Sequence, residues 1–581
     1  MKQPAYKIIV ALVLATLALG AGAQQAVKPR PNFLLIVADD LAYTDLGIFG
    51  GEIATPHLDA LAEKGVKMTS FYTAPTCSPT RAMLLTGQDA HKVGLGTMAE
   101  ALHEFPFLAG QPGYEGHLDP DARTIAGLLG AGGYRTMMVG KWHLGFAPQH
   151  SPKTLGFEKS FVLLQGGADH FGADQAEPGS KGRIPASYQE DGAPARYPVG
   201  RYSTDFYTDK MLEYLARKPG EERPFFAYLA YTAPHWPVQA PDNLIDKYKG
   251  RYADGPDALQ QARLARLKET GLFNEKLLET RPGSLPNWDK LSAAERAQSA
   301  RMMEVYAAMV DSLDQNVGRV LTALEKSGEL DNTVIIFMSD NGAEGLAQAG
   351  LERYLGPMGY SADRIAELTA ANADLEKIGR PGSFATYGPG WAQACTGPFR
   401  LFKGATNEGG IRTPAFVSGA GVSGGRIYRD PASVRDIFPT LLELAGVQSP
   451  TASDAVQVGD LPAAISWDPM LDDDPATIMP PHTVLGWEFI FRRAIRQGNW
   501  KAVFSREEQH PVGQPGPGQQ APRWRLYDLG EDLTELHDLA EKHPAILEGL
   551  VSNWNRYAQA NGVVASPPAP GNNSQARPAS K

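Results

Sequence analysis

Four apolar runs stand out along the chain, and each lacks the alternation of a half-exposed strand. A run of this kind predicts a strand buried on both faces, as in a parallel sheet covered by helices. Segments with helical spacing lie between the runs, and this alternation favours an α/β fold. The predicted strands are Phe33–Ala38, Thr136–Val139, Phe225–Ala230 and Val334–Met338, and the predicted helices include Leu58–Lys64, Thr124–Ala131, Phe206–Arg217 and Ala300–Ser327.

Polar and ionisable residues follow the end of each predicted strand. The carboxyl ends of parallel strands meet at one edge of a sheet, which is where open α/β sheets bind ligands. A single such pair is ordinarily a solvated turn or a helix cap, but four segments aimed at the same rim favour a site. These residues are Asp39, Asp40, Lys141, His143, His235, Asp340 and Asn341.

The character of the chain changes after about residue 434. Apolar segments at 500–504 and 524–529 flank a Pro/Gly-rich loop and predict a hairpin, and helical spacing at 544–557 predicts a closing helix. The segments 247–299 and 345–396 are interpreted as insertions. We therefore predict a signal peptide at 1–23, a catalytic domain at 30–430, a smaller α+β domain at 431–563 and a disordered tail at 564–581.

The composition fits a large soluble protein that is exported. A net charge of −10 over 581 residues does not indicate nucleic-acid binding, although it is compatible with a local basic site that binds an anion. Lys2 and Lys7, the apolar stretch Ile8–Leu19 and the small residues 21–23 predict a cleaved signal peptide, with an uncleaved anchor as the alternative. No later segment reads as a membrane span, so we expect a periplasmic or secreted protein without stable membrane insertion.

One of the two cysteines occupies an unusual position. Pro79 at a first helical position would place Cys77 at a helix N-terminus, where free N–H groups and the helix dipole favour an anion, with Arg81 one turn further on. A disulfide between Cys77 and Cys395 is the plain alternative in an exported protein. We interpret Cys395 as a packing or loop residue.

The polar rim also predicts a metal site. Three carboxylates and an amide oxygen suit Ca²⁺ or Mg²⁺, and without a cation the carboxylates would repel one another. Lys141 and His143 lie two apart on extended backbone and so face the same way. His235 could instead be a structural histidine packed on Trp236, and Lys403 alone would be a surface lysine. The predicted ligands are Asp39, Asp40, Asp340 and Asn341.

The sequence from Asn32 to about Val563 resembles the bacterial arylsulfatases, which are formylglycine-dependent enzymes of the alkaline phosphatase-like superfamily. The order of the shared motifs is very specific, and no catalytic position departs from the family pattern. The resemblance implies a large mixed, mostly parallel sheet flanked by helices, with a smaller C-terminal α+β domain. It is carried by Ala38-Asp39-Asp40, Cys77-Ser78-Pro79-Thr80-Arg81, Gly140-Lys141-Trp142-His143, Pro234-His235-Trp236, Ser339-Asp340-Asn341-Gly342-Ala343-Glu344, Lys403 and Glu408-Gly409-Gly410.

The resemblance implies a mechanism built on position 77. A formylglycine-generating enzyme would oxidise Cys77 to Cα-formylglycine, and one hydroxyl of its hydrate would attack the sulfur of a small sulfate ester. The second hydroxyl would then expel sulfate and restore the aldehyde, which a cysteine sulfur could not do. The cation, with Ca²⁺ favoured over Mg²⁺, would be bound by the four predicted ligands with position 77 near or within the same shell.

The same resemblance implies roles for the remaining residues. Arg81 and Lys141 would hold the diol and stabilise developing charge. His235 and Lys403 would protonate or stabilise the leaving oxygen, His143 would be the base of the elimination, and Asp340 would accept a proton from the attacking hydroxyl.

Two other functions stay open from the sequence. A phosphate or phosphonate ester hydrolase of the same superfamily can share the nucleophile motif. A non-catalytic, calcium-dependent sulfate- or glycan-binding protein would leave Cys77 unmodified. The natural ester and the oligomeric state are not indicated by the residues, although segments 91–114, 165–201 and 345–396 are expected to shape the pocket.

Overall fold

The protein is described here from a computed structural model. The described residues are 30–174, 186–279, 281–282, 288–351, 355–356, 360–448, 464–471, 482, 484–505 and 522–564. The predicted signal peptide, nearly all of the predicted tail and the loop at 506–521 lie outside them. None of the helices in the described part is both long and apolar enough to cross a membrane.

A ten-stranded mixed sheet forms the centre of the molecule, in the order β11-β2-β10-β9-β1-β8-β4-β5-β6-β7. Its middle strands β9, β1, β8, β4 and β5 run parallel to one another, while β10, β6 and β7 pair antiparallel. The strands are β1 Asn32–Ala38, β2 Val66–Met68, β4 Arg135–Lys141, β5 Lys159–Leu163, β6 Tyr188–Glu190, β7 Ala193–Ala195, β8 Phe225–Ala230, β9 Thr333–Ser339, β10 Ala415–Gly419 and β11 Arg426–Tyr428.

Helices cover both faces of this sheet. Within β1, Leu34, Ile36 and Ala38 face one apolar core, and the alternate residues face a second core on the other side. The helices are α1 Pro56–Glu63, α2 Cys77–Thr86, α3 Ala101–Glu104, α4 Ile125–Ala131, α5 Ser203–Leu215, α6 Asp242–Lys247, α7 Gly255–Glu269, α8 Ala293–Ser327, α9 Ala362–Ala370, α10 Pro389–Cys395, α11 Glu408–Ile411, α12 Ile437–Leu444, α13 Asp468–Leu471 and α14 Pro544–Asn561.

A second, four-stranded antiparallel sheet lies near the end of the chain. It consists of β13 Val484–Phe489, β14 Arg492–Gln497, β15 Trp500–Ser505 and β16 Arg523–Asp528, and α14 packs on one of its faces. Its other face packs on the main body through a small apolar cluster that includes Tyr72 and Trp487. A two-stranded sheet of β3 Phe71–Tyr72 and β12 Ala432–Ser433 completes the architecture.

The four predicted strands are confirmed: Phe225–Ala230 has the predicted bounds, and the other three extend by one to three residues in the structure. The predicted hairpin is confirmed as the pair β15–β16, and the closing helix as α14. One local prediction is wrong, because Pro79 is the third residue of α2 rather than the first. Thr76 is the N-cap and Cys77 opens the helix. The proposed domain boundary after residue 430 stays a prediction.

Candidate active site

The carboxyl ends of β9, β1, β8 and β4 are adjacent and form one rim of the large sheet. The polar residues that follow these strands meet there with the start of α2, as the sequence predicts. Within the rim, a carboxylate oxygen of Asp39, one of Asp40, the sulfur of Cys77 and a ring nitrogen of His235 all lie within 4.8 Å of one another. All of these side chains are buried.

The first carboxylate of the rim, Asp39, is held by Lys141. The Lys141 ammonium donates to both oxygens of Asp39, at 2.8 and 2.7 Å. Arg81 donates from Nε and Nη2 to Oδ2 of Asp340, at 3.0 and 2.8 Å, and from Nη1 to the Lys141 carbonyl. Both cations are fully buried, so the rim fixes their positions through paired charges.

Asp40 links the rim to two further segments. Its left-handed backbone (φ 67°) turns the chain directly after Asp39. The Lys403 ammonium lies 2.8 Å from Oδ1 of Asp40, and the amide Nδ2 of Asn341 donates to the same oxygen at 2.6 Å. Asp340 accepts a hydrogen bond from the Asp40 backbone N–H at 3.2 Å.

Cys77 occupies the first position of α2, and the free N–H groups at a helix start favour an anion. Its side chain is 1% exposed, and it forms no disulfide with Cys395, which is also free and buried. Burial raises the pKa of the Cys77 thiol, and the nearby Lys141 and Lys403 lower it only in part. An unmodified Cys77 would therefore be a neutral thiol and a poor nucleophile.

The three rim carboxylates differ in how their charge is compensated. Burial raises the pKa of Asp39 and of Asp40 above the usual range, although Lys141 and Lys403 respectively act against it. For Asp340, burial also acts to raise the pKa, but Arg81, Lys141 and Lys403 outweigh it and lower the value. Burial is the largest cause of both raised pKa values, and the neighbouring carboxylates add to it, as predicted for carboxylates gathered without a cation.

The donor set fits a hard divalent cation. Three carboxylates and the amide of Asn341 converge, and Oδ1 of Asn341 is buried with no hydrogen-bond partner among the described residues. Such an acceptor is costly unless a ligand satisfies it. Oxygen donors of this kind suit Ca²⁺ or Mg²⁺. His235 also lies in this group of atoms, although it is absent from the predicted ligands.

His143 is held in a strained backbone conformation (φ 58°) beside the start of α2. Its carbonyl accepts a hydrogen bond from the Ser78 hydroxyl at 2.8 Å, and its Nε2 lies 3.1 Å from a carboxylate oxygen of Glu100. Nδ1 is buried without a partner in the described structure. Burial lowers the pKa of His143, with Glu100 acting in the opposite direction, so the ring can serve as a base.

His235 lies between two cis peptide bonds, Ala233–Pro234 and Trp236–Pro237. Its Nδ1 donates to the Trp236 carbonyl at 2.6 Å, and Nε2 lies 3.5 Å from Oδ2 of Asp40. Burial, together with Lys403 and Lys141, lowers the pKa of His235, which makes the ring neutral. The His235 ring packs on Trp236, as expected for a structural histidine, but one of its ring nitrogens also lies among the ligand-type atoms of the rim.

Known proteins resemble this chain in both sequence and fold. The model of the Sulfatase family matches residues 31–447. An uncharacterized sulfatase of Schizosaccharomyces pombe is 41% identical over 558 residues, covering 94% of this chain and 96% of the relative. The chain belongs to the sulfatase family. An arylsulfatase of Klebsiella aerogenes is 35% identical to this sulfatase over 450 residues, covering 77% of this chain and 92% of the relative.

The solved structure of Ps i-CgsB has the same fold as this sulfatase. It is 25% identical, with a TM-score of 0.61, and the match covers 92% of this chain and 94% of that one. Family membership makes the protein a sulfate ester hydrolase of the alkaline phosphatase-like superfamily, and the observed mixed sheet with its separate antiparallel sheet confirms the predicted fold class.

The structure also shows site residues of this sulfatase that the sequence reasoning missed. Glu100 contacts His143, and Glu344 contacts Lys403 at 3.1 Å. The turn at Gly166 and Gly167 is pressed against the two histidines, since a Cβ at Gly166 would lie 2.5 Å from the His143 ring. All four residues lie in or next to the segments expected to shape the pocket, and Glu344 closes the motif that begins at Ser339. That proximity was the signal available.

Proposed function

We propose that this sulfatase hydrolyses aryl sulfate esters with a formylglycine at position 77 and a calcium ion. The supporting observation is the convergence of a buried cysteine, metal-type carboxylates and two lysines on one helix N-terminus. The neutral, buried thiol of Cys77 supports conversion to another group, because the thiol itself is poorly suited to attack. The formylglycine hydrate would supply the attacking hydroxyl and, afterwards, the means to release sulfate.

The predicted ligands would hold the cation. Asp39, Asp40, Asp340 and Asn341 supply hard oxygens, and the bound ion would polarise a sulfate oxygen and lower the pKa of the nucleophile. Three carboxylates face three cations in the rim, so their formal charges cancel. A divalent ion would therefore make the rim net positive and attract an anionic ester.

The residues of the chain then divide into an attacking side and a leaving side. Arg81 and Lys141 lie against Asp340 and Asp39, next to position 77, and would stabilise charge on the sulfate oxygens. His143, with its unpartnered Nδ1, would take the proton that accompanies sulfate release. On the other side, the Lys403 ammonium would donate to the leaving oxygen and His235 would orient it.

The preference for aryl esters rests on two observations. The Klebsiella aerogenes relative is named an arylsulfatase. In addition, an apolar cluster adjoins the leaving side, and it includes Trp236, Leu346 and Phe384. Its member Trp236 packs beside His235, and an aromatic ring at that position would suit a flat aromatic leaving group.

The decisive experiment is the mass of the tryptic peptide Met68–Arg81 from purified protein, combined with sulfate release from 4-nitrophenyl sulfate. Formylglycine replaces the cysteine sulfur and two hydrogens with one oxygen. A modified peptide and stoichiometric sulfate support the proposal. A peptide that stays a normally alkylated thiol in protein from its native host, with no sulfate released, contradicts it and favours the binding protein.

The same sample tests export and the competing hydrolase. A mature chain that begins at Gln24 would support the proposed signal peptide at 1–23. A kcat/KM higher on 4-nitrophenyl phosphate than on 4-nitrophenyl sulfate would instead favour a phosphate ester hydrolase.

A further inference from the structure

Glu344 contacts one residue of the leaving side, Lys403, and also Trp236, the neighbour of the other, His235. It follows β9 by five residues, on the same segment as Asp340. Its Oε2 lies 3.1 Å from the Lys403 ammonium and accepts a hydrogen bond from the Trp236 indole N–H at 3.3 Å. Its Oε1 accepts from the Leu346 backbone N–H at 2.8 Å. Both oxygens are therefore fixed.

The contact with Lys403 matters because a lysine side chain is long and flexible. The ammonium of Lys403 has two carboxylate partners in the structure, Asp40 and Glu344. Asp40 is also a proposed metal ligand, so its oxygens would bind the cation as well as the ammonium. Glu344 is not a proposed metal ligand, and its side chain is only 15% exposed. It is the carboxylate that can hold the ammonium in one place.

The contact with Trp236 extends the same control to His235. The Trp236 ring lies 4.9 Å from the His235 ring, between centroids, at an interplanar angle of 34°. The carbonyl of Trp236 also accepts the hydrogen bond from His235 Nδ1. Fixing the indole of Trp236 therefore restrains the imidazole. One carboxylate thus reaches both leaving-side residues, one directly and one through the tryptophan.

We propose that Glu344 is a positioning residue that fixes the Lys403 ammonium, and through Trp236 the His235 ring, against the leaving oxygen of the ester. The inference rests on the proposed function. Negative charge develops on the leaving oxygen as its bond to sulfur breaks, and the ammonium stabilises that charge. A leaving group of high pKa needs this help more than one of low pKa. The contribution of Glu344 should therefore depend on the leaving group.

The test compares Glu344→Gln with wild type on two esters of similar shape, phenyl sulfate and 4-nitrophenyl sulfate. We expect kcat/KM to fall about tenfold on phenyl sulfate and about twofold on 4-nitrophenyl sulfate, because general acid assistance matters most for the poorer leaving group. Adding Lys403→Ala should make the loss non-additive, so that Glu344→Gln costs clearly less on phenyl sulfate in that background and the remainder reports the route through Trp236 and His235. A merely structural role would lower both esters equally and additively.

A matched control is Glu367→Gln on α9. Glu367 belongs to the insertion that follows Glu344, but it pairs at the surface with Arg364, and its side chain is 70% exposed. It should leave both esters unchanged. An equal fall on both esters in Glu344→Gln, with active wild type, overturns the inference alone. A wild type that carries a thiol at position 77 and releases no sulfate overturns the proposed function, and the inference with it.

Discussion

Two buried ionic clusters of the protein have nearly the same chemistry and very different organisation. The rim cluster consists of Asp39, Asp40, Asp340, Arg81, Lys141 and Lys403. The seam cluster joins the main body to the antiparallel sheet, and it consists of Tyr72, Glu408, Arg412, Arg496, Lys501 and Glu535. The carboxylates of both clusters are fully buried. Burial of charge alone therefore does not distinguish a site from a structural joint.

The two clusters differ in the hydrogen-bond and ion-pair partners of the buried polar atoms in and beside them. In the seam cluster, Lys501 contacts Glu408 at 2.7 Å and Glu535 at 2.9 Å, while Tyr72 and Arg412 occupy the other oxygen of Glu408. Beside the rim cluster, Asn341 donates to Asp40 but retains a buried acceptor, Oδ1, without a partner in the described structure. The rim also lies at strand ends and a helix N-terminus, where ligands bind. An unsatisfied acceptor at such an edge indicates function.

The largest expected effect is a loss of catalysis with little change in stability, and it should arise at the rim but not at the seam cluster. Cys77→Ala should lower sulfate release by at least about 10⁴-fold, since it removes the proposed nucleophile. The free energy of unfolding should change by only about 1 kcal/mol, because one buried atom is lost. Steady-state sulfate release and thermal unfolding check both values.

Cys395→Ala is the matched control for this substitution. Cys395 is equally buried, at the end of α10, and it lies outside the rim. It should keep full turnover. Multiple turnovers by the Cys77→Ala protein would remove position 77 from the mechanism.

The seam cluster should give the opposite result. Lys501→Met leaves Glu408 and Glu535 buried without their shared cation, which should cost about 3–5 kcal/mol of unfolding free energy. The activity of each folded molecule should stay near that of wild type. Chemical unfolding, and activity normalised to folded protein, separate the two quantities.

Lys276→Met is the control for the seam substitution. Lys276 pairs with Glu531 at the surface, where both side chains are more than 60% exposed, and its loss should be nearly silent. A Lys501→Met protein of normal stability but low activity would show that the seam takes part in catalysis.

A histidine on the same interface should make stability depend on pH. His91 has Asp89 at 2.8 Å from one ring nitrogen and Glu488 of β13 at 3.2 Å from the other. Burial acts to lower the pKa of His91, but these two carboxylates outweigh it and raise the pKa to about 9. Both nitrogens donate, so the folded state favours the imidazolium.

The sign follows from this raised pKa. The stabilisation is fully present below the unfolded pKa of about 6.5 and is lost as the pH rises through about 9. The loss should be roughly 3 kcal/mol. Melting temperatures between pH 6 and 9.5 should fall in wild type and fall less in His91→Gln. Tyr114 and Tyr557 also face this group, and both have raised pKa values because of burial, so they stay neutral over the range. Parallel curves for the two proteins would contradict this account.

The rim residues could be predicted from the sequence because their positions follow from local sequence patterns. Each apolar run identifies a strand, and the polar residue after it must lie at the strand end. The parallel order β9-β1-β8-β4 then brings four such ends together. The start of α2 is the local feature that the pattern predicts wrongly. Pro79 suggests a helix that begins at that residue, whereas Thr76 is the N-cap and Cys77 is the first helical residue.

The supporting residues could not be predicted in the same way. Glu100 and Glu344 are single acidic residues in or beside loops, and their contacts with His143 and Lys403 depend on how those loops fold back. The seam joins Glu408 to Lys501 across 93 residues of chain. No periodicity encodes a contact of this length, because it arises from tertiary packing rather than from local pattern.

The smallest expected effect sharpens the comparison by addressing Oδ1 of Asn341, the buried acceptor beside the rim cluster that has no partner in the described structure. Calcium at about 100 times its dissociation constant should raise the free energy of unfolding by about 2.7 kcal/mol, since only the folded rim gathers the ligands. Asp40→Asn replaces a carboxylate ligand and should remove most of that increment, whereas Asp119→Asn, at an exposed loop position, should keep it. Thermal unfolding with calcium and with chelator measures each increment. An equal increment in the Asp40→Asn protein would place the calcium elsewhere, and the rim would then resemble the seam as a set of charges that is complete without a metal.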